Sequence, residues 1–149
     1  MTDIYKKDLL KGKTAFVAGG SSGINLGIAE RYAELGANIV ILSRSQDKID
    51  VAVKGIEKIG AKALGIATDV RDYEGVVAAF EQTHKELGDI HCVISGAAGN
   101  FLSPVVGLSS KGFQTVIDID LVGTFNVFRA SWDYLAKPCL LYTSPSPRD

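Results

Sequence analysis

The first residues whose order suggests chemistry are Ala18-Gly19-Gly20-Ser21-Ser22-Gly23-Ile24-Asn25-Leu26-Gly27, which follow an apolar β-type run and lead into a segment of helical period. Glycines permit a tight turn and a close approach of backbone to ligand. A helix that starts there aims N–H groups without intrahelical acceptors, and a partial positive charge, at whatever sits over the turn. That combination cradles a phosphate, and between a strand and a helix it suits the pyrophosphate of a dinucleotide. Gly19, Ser21, Ser22, Gly23 and Ile24 are the candidate contacts. Glycine also occurs in many such turns for steric reasons alone, so the flanking strand and helix carry the meaning.

The next β-type run ends Leu42-Ser43-Arg44-Ser45, about 20 residues past the turn, where an NAD site would hold an acid for the ribose 2′-hydroxyl. Arg44 stands there instead. Its planar guanidinium suits a 2′-phosphate, which makes NADP(H) the expected cofactor; a solvated loop arginine is the competing reading. A third candidate is Asp120. Helical period from Ser109 or Ser110 puts Phe113, Val116, Ile117, Leu121, Thr124, Phe125 and Phe128 on one stripe, and Asp120 falls among them. A carboxylate on an apolar face must lose solvent, which raises its pKa unless a partner compensates, and such groups gather at active sites. Asp120 is therefore the catalytic candidate, against the alternative of a buried structural aspartate. Asp118 points off the stripe, and His84 and His91 receive no role.

Positioning these groups requires a sheet. Apolar β-rich runs at 14–18, 38–42, 63–67 and 90–94 alternate with helical segments, the pattern of βαβ units feeding a parallel sheet. The first helix is expected to bury Ile24, Ile28, Ala29, Tyr32 and Leu35 and to stop at Gly36. The second carries Ile49, Val53 and Ile56 to Gly60, and the third, over 72–87, carries Val76, Val77 and Phe80 to Gly88. The fold class is α/β, a Rossmann-type doubly wound parallel sheet, truncated after the fourth strand and its following helix. With 46% hydrophobic and 22% charged residues over 149 positions, the chain can enclose one core. A net charge of −1 without basic runs excludes nucleic acid and anionic membrane as partners. Residues 1–13 hold no sustained apolar stretch, so a cytoplasmic location is the default. Cys92 and Cys139 make neither a disulfide framework nor a metal spacing, and no metal is expected.

The turn resembles the Thr-Gly-x-x-x-Gly-x-Gly motif of short-chain dehydrogenases/reductases, with Gly19 and Gly23 in register, Ala18 in place of threonine and Asn25 in place of the third glycine. The resemblance runs over nearly all of 13–138. It implies that Asp69 and Val70 border the adenine, the carboxylate accepting from the exocyclic amine. It also implies that Ser95-Gly96-Ala97-Ala98-Gly99 replaces the Asn-Asn-Ala-Gly loop, bringing Ala97 close to the cofactor at the point where strand order reverses. The run from Ala97 to Pro104, then Leu108-Ser109, Asp118-Ile119-Asp120 and Gly123-Thr124-Phe125-Asn126, is similar to the 2,4-dienoyl-CoA reductase branch, particularly its peroxisomal type. That branch carries aspartate where most of the family has asparagine. The resemblance implies hydride transfer from NADPH to the diene of an acyl-CoA. Asp120 would orient the water that supplies the proton, Asn100 and Phe101 would border the substrate channel, and the full-length protein would form a homo-oligomer.

Residues 139–149, Cys-Leu-Leu-Tyr-Thr-Ser-Pro-Ser-Pro-Arg-Asp, match the translation of a transposase sequencing adaptor and break the helical period with two prolines. Native sequence is thus expected over 1–138. The family's catalytic serine, tyrosine and lysine would lie beyond it, so the isolated chain is expected to be inactive. Three readings stay open: a dienoyl-CoA reductase fragment, a fragment of a reductase acting on 3-oxoacyl thioesters or alcohols, and a non-catalytic nucleotide-binding module.

Overall fold

The computed structural model describes residues 5–136; the boundary expected at Pro138, Cys139 and the tail at 139–149 lie outside the described residues. The elements are β1 (Thr14–Ala18), α1 (Gly23–Glu34), β2 (Asn38–Ser43), α2 (Gln46–Ile59), β3 (Ala63–Ala67), α3 (Tyr73–Leu87), β4 (Cys92–Ser95), α4 (Ser110–Ile117), a π-helical turn (Asp118–Val122) and α5 (Gly123–Ser131). All strands run parallel in the order β3-β2-β1-β4. Winding therefore reverses between β1 and β4. Ala18 pairs with both Leu42 and Ser95, so the loops after β1, β2 and β4 emerge level at one edge.

Strand alternation divides the core. Val17, Ile39 and Ile41 pack with Ala29, Ala33, Ile49 and Ile56 on the α1–α2 side, while Phe16, Val40 and Leu42 pack with Val76, Phe80 and Val127 on the α3–α5 side. Covering both faces explains why these strands read as continuous apolar runs. Phe16 and Phe80 stack with centroids 4.1 Å apart. Asp72 and Ser109 accept from the backbone N–H groups of Gly75 and Gly112, capping α3 and α4 as their residue types suggest.

Several expectations need correcting. The fourth strand begins at Cys92, and Ile90 makes only a single bridge with Leu135. Ile24 is 84% exposed, because the first turn of α1 overhangs the end of the sheet. The largest revision concerns the helix after β4. Gly123, Asn126, Val127, Ala130 and Ser131 form its buried face, whereas Phe113, Leu121, Phe125 and Phe128 are exposed. The π turn adds a residue to the winding and rotates α5 relative to α4. Small residues sit inside because the approach is close: a Cβ at Gly123 would lie 2.5 Å from Val70 Cγ2, and Asn126 Nδ2 donates to the Val70 carbonyl at 2.9 Å. Among the described residues, no helix is long and apolar enough to cross a membrane.

Candidate functional site

The loops after the strands surround an open cleft of about 610 Å³, within the size range of small-molecule sites. Its floor is the glycine turn. Gly19 has φ +76° and its absent Cβ would lie 2.7 Å from the Ala97 N and Cα atoms, so both the backbone angle and the close approach of β4 exclude a side chain. Its N–H donates to the Leu42 carbonyl at 2.7 Å, which clasps the turn between β2 and β4. Ser22 caps α1 in extended geometry without a side-chain bond to the helix, and the first turn holds no acid. The first-turn N–H groups are thus offered to an anion. Gly23 and Ile24 begin that helix but lie outside the cleft lining, and the Ile24 side chain points to solvent. Ser21 Oγ donates to Ser43 Oγ at 2.9 Å and ties the turn to the end of β2.

Arg44 lines the cleft together with Lys48, four residues on. In the sequence Lys48 carries no motif, since a lysine near a helix start looks like ordinary surface. Its signal was there: a cation in a first helical turn opposes the helix dipole and calls for a reason. Across from this corner, Asp69 and Val70 line the cleft after β3. Asp69 does not stand open. Arg71 donates Nε and its backbone N–H to Oδ1, both at 3.0 Å, and a guanidinium NH2 to Oδ2 at 2.6 Å. Those bonds hold the Asp69 carboxyl below its usual pKa, with Arg44 adding a weaker pull from its charge. Val70 is only 5% exposed and belongs as much to the core as to the cleft.

Ala97 lies at the reversal point against Gly19 and lines the cleft. Asn25, noted in the sequence only as a departure, reaches across the same point and donates Nδ2 to the Gly96 carbonyl at 2.7 Å. Asp120 is not desolvated. It is exposed, and its Oδ1 accepts the Gly99 N–H at 2.9 Å. Of the expected stripe, Asp120, Phe113, Leu121, Phe125 and Phe128 face solvent while Val116, Ile117 and Thr124 are half-buried, so burial gives no support to Asp120 as a catalytic group. Asn100 and Phe101 follow Gly99 on the same loop, exposed and outside the cleft lining. His91 Nδ1 accepts the Thr14 N–H at 3.2 Å, and His84 lies 3.6 Å from Asp89. Among the described residues, no cluster of His, Cys, Asp or Glu could hold a metal ion.

Comparison with known proteins agrees with this architecture. Residues 13–138 match the family model described as short chain dehydrogenase. The chain is 39% identical over 137 residues to a peroxisomal 2,4-dienoyl-CoA reductase of Arabidopsis thaliana, covering 92% of this chain and 46% of that protein. It is 44% identical over 133 residues to the protein of the same name from Danio rerio, covering 89% and 44%. The chain thus spans less than half the length of these relatives. Among solved structures, a citronellol catabolism dehydrogenase of Pseudomonas aeruginosa superposes with a TM-score of 0.83 at 32% identity, over 91% of this chain and 55% of that one. An L-sorbose reductase of Gluconobacter frateurii, complexed with NADPH and L-sorbose, gives 0.75 at 30% identity, over 81% and 46%. Its sheet order, its glycine turn and a match over most of its length place the chain in the short-chain dehydrogenase family.

Proposed function

We propose that this chain forms the cofactor-binding part of an NADPH-dependent reductase acting on 2,4-dienoyl-CoA thioesters. The observation that carries the cofactor choice is the pairing of Arg44 and Lys48 in one cleft with the glycine turn. Two cations at that corner suit a 2′-phosphate, whose charge they would offset, better than an uncharged hydroxyl. The backbone of Gly19, Ser21, Ser22, Gly23 and Ile24 would hold the pyrophosphate, the edge of Val70 and the remaining lone pairs of Asp69 the adenine, and Ala97 the nicotinamide side. NADPH when bound supplies a hydride. The substrate class rests on the relatives' names.

Asp120 is anchored through Oδ1 by the Gly99 N–H, which leaves Oδ2 to orient a water as proton source. Asn100 and Phe101, on the loop that Asp120 holds, would border the acyl channel. The named relatives are peroxisomal, so the cytoplasmic default has no support from them. Residues 139–149 are read as translated adaptor, and the family's remaining catalytic residues as lying in sequence that would follow 138. The whole protein would self-associate through exposed apolar surface. The test is to read the gene past the codon for Pro138 and assay the continuous product. NADPH oxidation dependent on a 2,4-dienoyl-CoA is expected, with none from the 149-residue chain alone. Turnover confined to 3-oxoacyl thioesters or alcohols would replace the substrate assignment, and a gene ending at the codon for Asp149 would overturn the fragment reading.

A further inference from the structure

Two departures from the motifs that this chain resembles meet in space. Asn25 stands where the turn would hold its third glycine, and Gly96 stands in a loop that otherwise carries asparagine. Asn25 Nδ2 donates to the Gly96 carbonyl at 2.7 Å and to the Gly19 carbonyl at 3.4 Å. A Cβ on Gly96 would lie 2.6 Å from Asn25 Cγ and closer still to the amide oxygen and nitrogen. An amide at 25 thus requires bare backbone at 96 and fills the space that bare backbone leaves. Asn25 has an ordinary helical φ, so its place owes nothing to unusual backbone tolerance.

The location explains what the bond achieves. Gly96 N–H donates to the Ala18 carbonyl at 3.0 Å, and immediately beyond it the strands part, Gly19 turning to bond Leu42 instead. The carbonyls of Gly19 and Gly96 therefore leave the sheet ladder together at the reversal point, where a carbonyl without a donor is costly. Asn25 gives both a donor, and with Gly96 it lines the cleft. The Arg44–Lys48 corner is built from the connection after β2 and the first turn of α2 and takes no part in this bridge.

We propose that Asn25 is a positioning residue: its amide replaces ladder hydrogen bonds at the reversal point and sets the spacing between the phosphate turn and the Gly96–Ala97 backbone, with Gly96 as its size-matched partner. This rests on the dinucleotide reading of the cleft. The β4 side of the site, which would receive the nicotinamide half, depends on Asn25; the adenine side does not.

The test compares Asn25→Gly, Gly96→Ala, their double variant and Asn25→Asp with the unaltered full chain, using NADPH and 2′,5′-ADP as probes of the whole cleft and of its adenine side. Asn25→Gly and Asn25→Asp should weaken NADPH about tenfold, the scale of one partly buried hydrogen bond lost, and change 2′,5′-ADP by less than about twofold. Gly96→Ala should weaken NADPH further, and adding Asn25→Gly should restore it to the level of Asn25→Gly alone, a non-additivity expected only of groups in contact. Parallel loss of both probes would reduce Asn25 to a general structural role, and additive effects would dissolve the pair; either overturns the inference. Should the unaltered chain bind neither probe, the dinucleotide reading fails and the positioning role with it. The size match is then decided separately by thermal unfolding, where Gly96→Ala must lower Tm and the double variant must recover it.

Discussion

At the scale of single residues, the groups that act through local chemistry are the ones the sequence exposes. Gly19 and Arg44 announce themselves by type and by distance along the chain, and both reach the cleft. Replacing Arg44 by Ala should weaken NADPH by about tenfold to a hundredfold, the range of a lost charge-assisted hydrogen bond, and leave NADH nearly unchanged; titration with both dinucleotides checks it. Lys48→Ala should act in the same direction. Gly19→Ala should abolish dinucleotide binding, since its methyl would lie 2.7 Å from Ala97 backbone. Asp69 supplies a pH signature. Its folded pKa is lowered below the ordinary 3.8, chiefly by hydrogen bonds from Arg71, so the stability it contributes is present above that value and disappears as pH falls through the folded pKa. Urea unfolding across pH should show Asp69→Asn less stable than the parent near neutrality, with the gap closing below pH 3.8. The gap should be small, because the pair is partly exposed and screened.

At the scale of elements, the strands and the first three helices follow the sequence pattern closely, because a sheet covered on both faces imposes long apolar runs and glycine stops. The segment from α4 to α5 does not follow it. There Phe113, Leu121, Phe125 and Phe128 of the stripe read from spacing are exposed, Val116, Ile117 and Thr124 are half-buried, and the buried face of α5 includes Gly123, Asn126, Val127 and Ala130. Close contact with Val70 selects small residues and an amide that satisfies a carbonyl, and hydrophobicity counts none of these as core. Gly123→Ala should therefore cost about 1–3 kcal/mol through overpacking against Val70, while Phe125→Ser should change stability by about 0.5 kcal/mol or less. Denaturant midpoints of the two variants measure the contrast. An outcome with Phe125 the costlier site would restore the stripe as the core.

At the scale of the whole molecule, Leu121, Phe125, Phe128 and Trp132 leave an apolar surface of a kind that isolated soluble domains seldom show. Light scattering over a concentration series should find the parent chain associating, and Leu121→Glu with Phe125→Glu should move that association to higher concentration. Chain-local information determined the alternation of strands and helices, the glycine turn and the family, because turn chemistry and apolar period are properties of neighbouring residues. Only the tertiary structure decided that Asp120 is exposed yet bonded to Gly99, that Lys48 joins Arg44, that Arg71 engages Asp69, and that Asn25 and Gly96 fit one another. The Asp120–Gly99 and Asn25–Gly96 contacts join residues distant in sequence, while Arg71 with Asp69 and Lys48 with Arg44 are near neighbours whose meeting depends on which way each side chain turns. Neither residue type nor local spacing encodes which side of a helix or loop the rest of the molecule will approach.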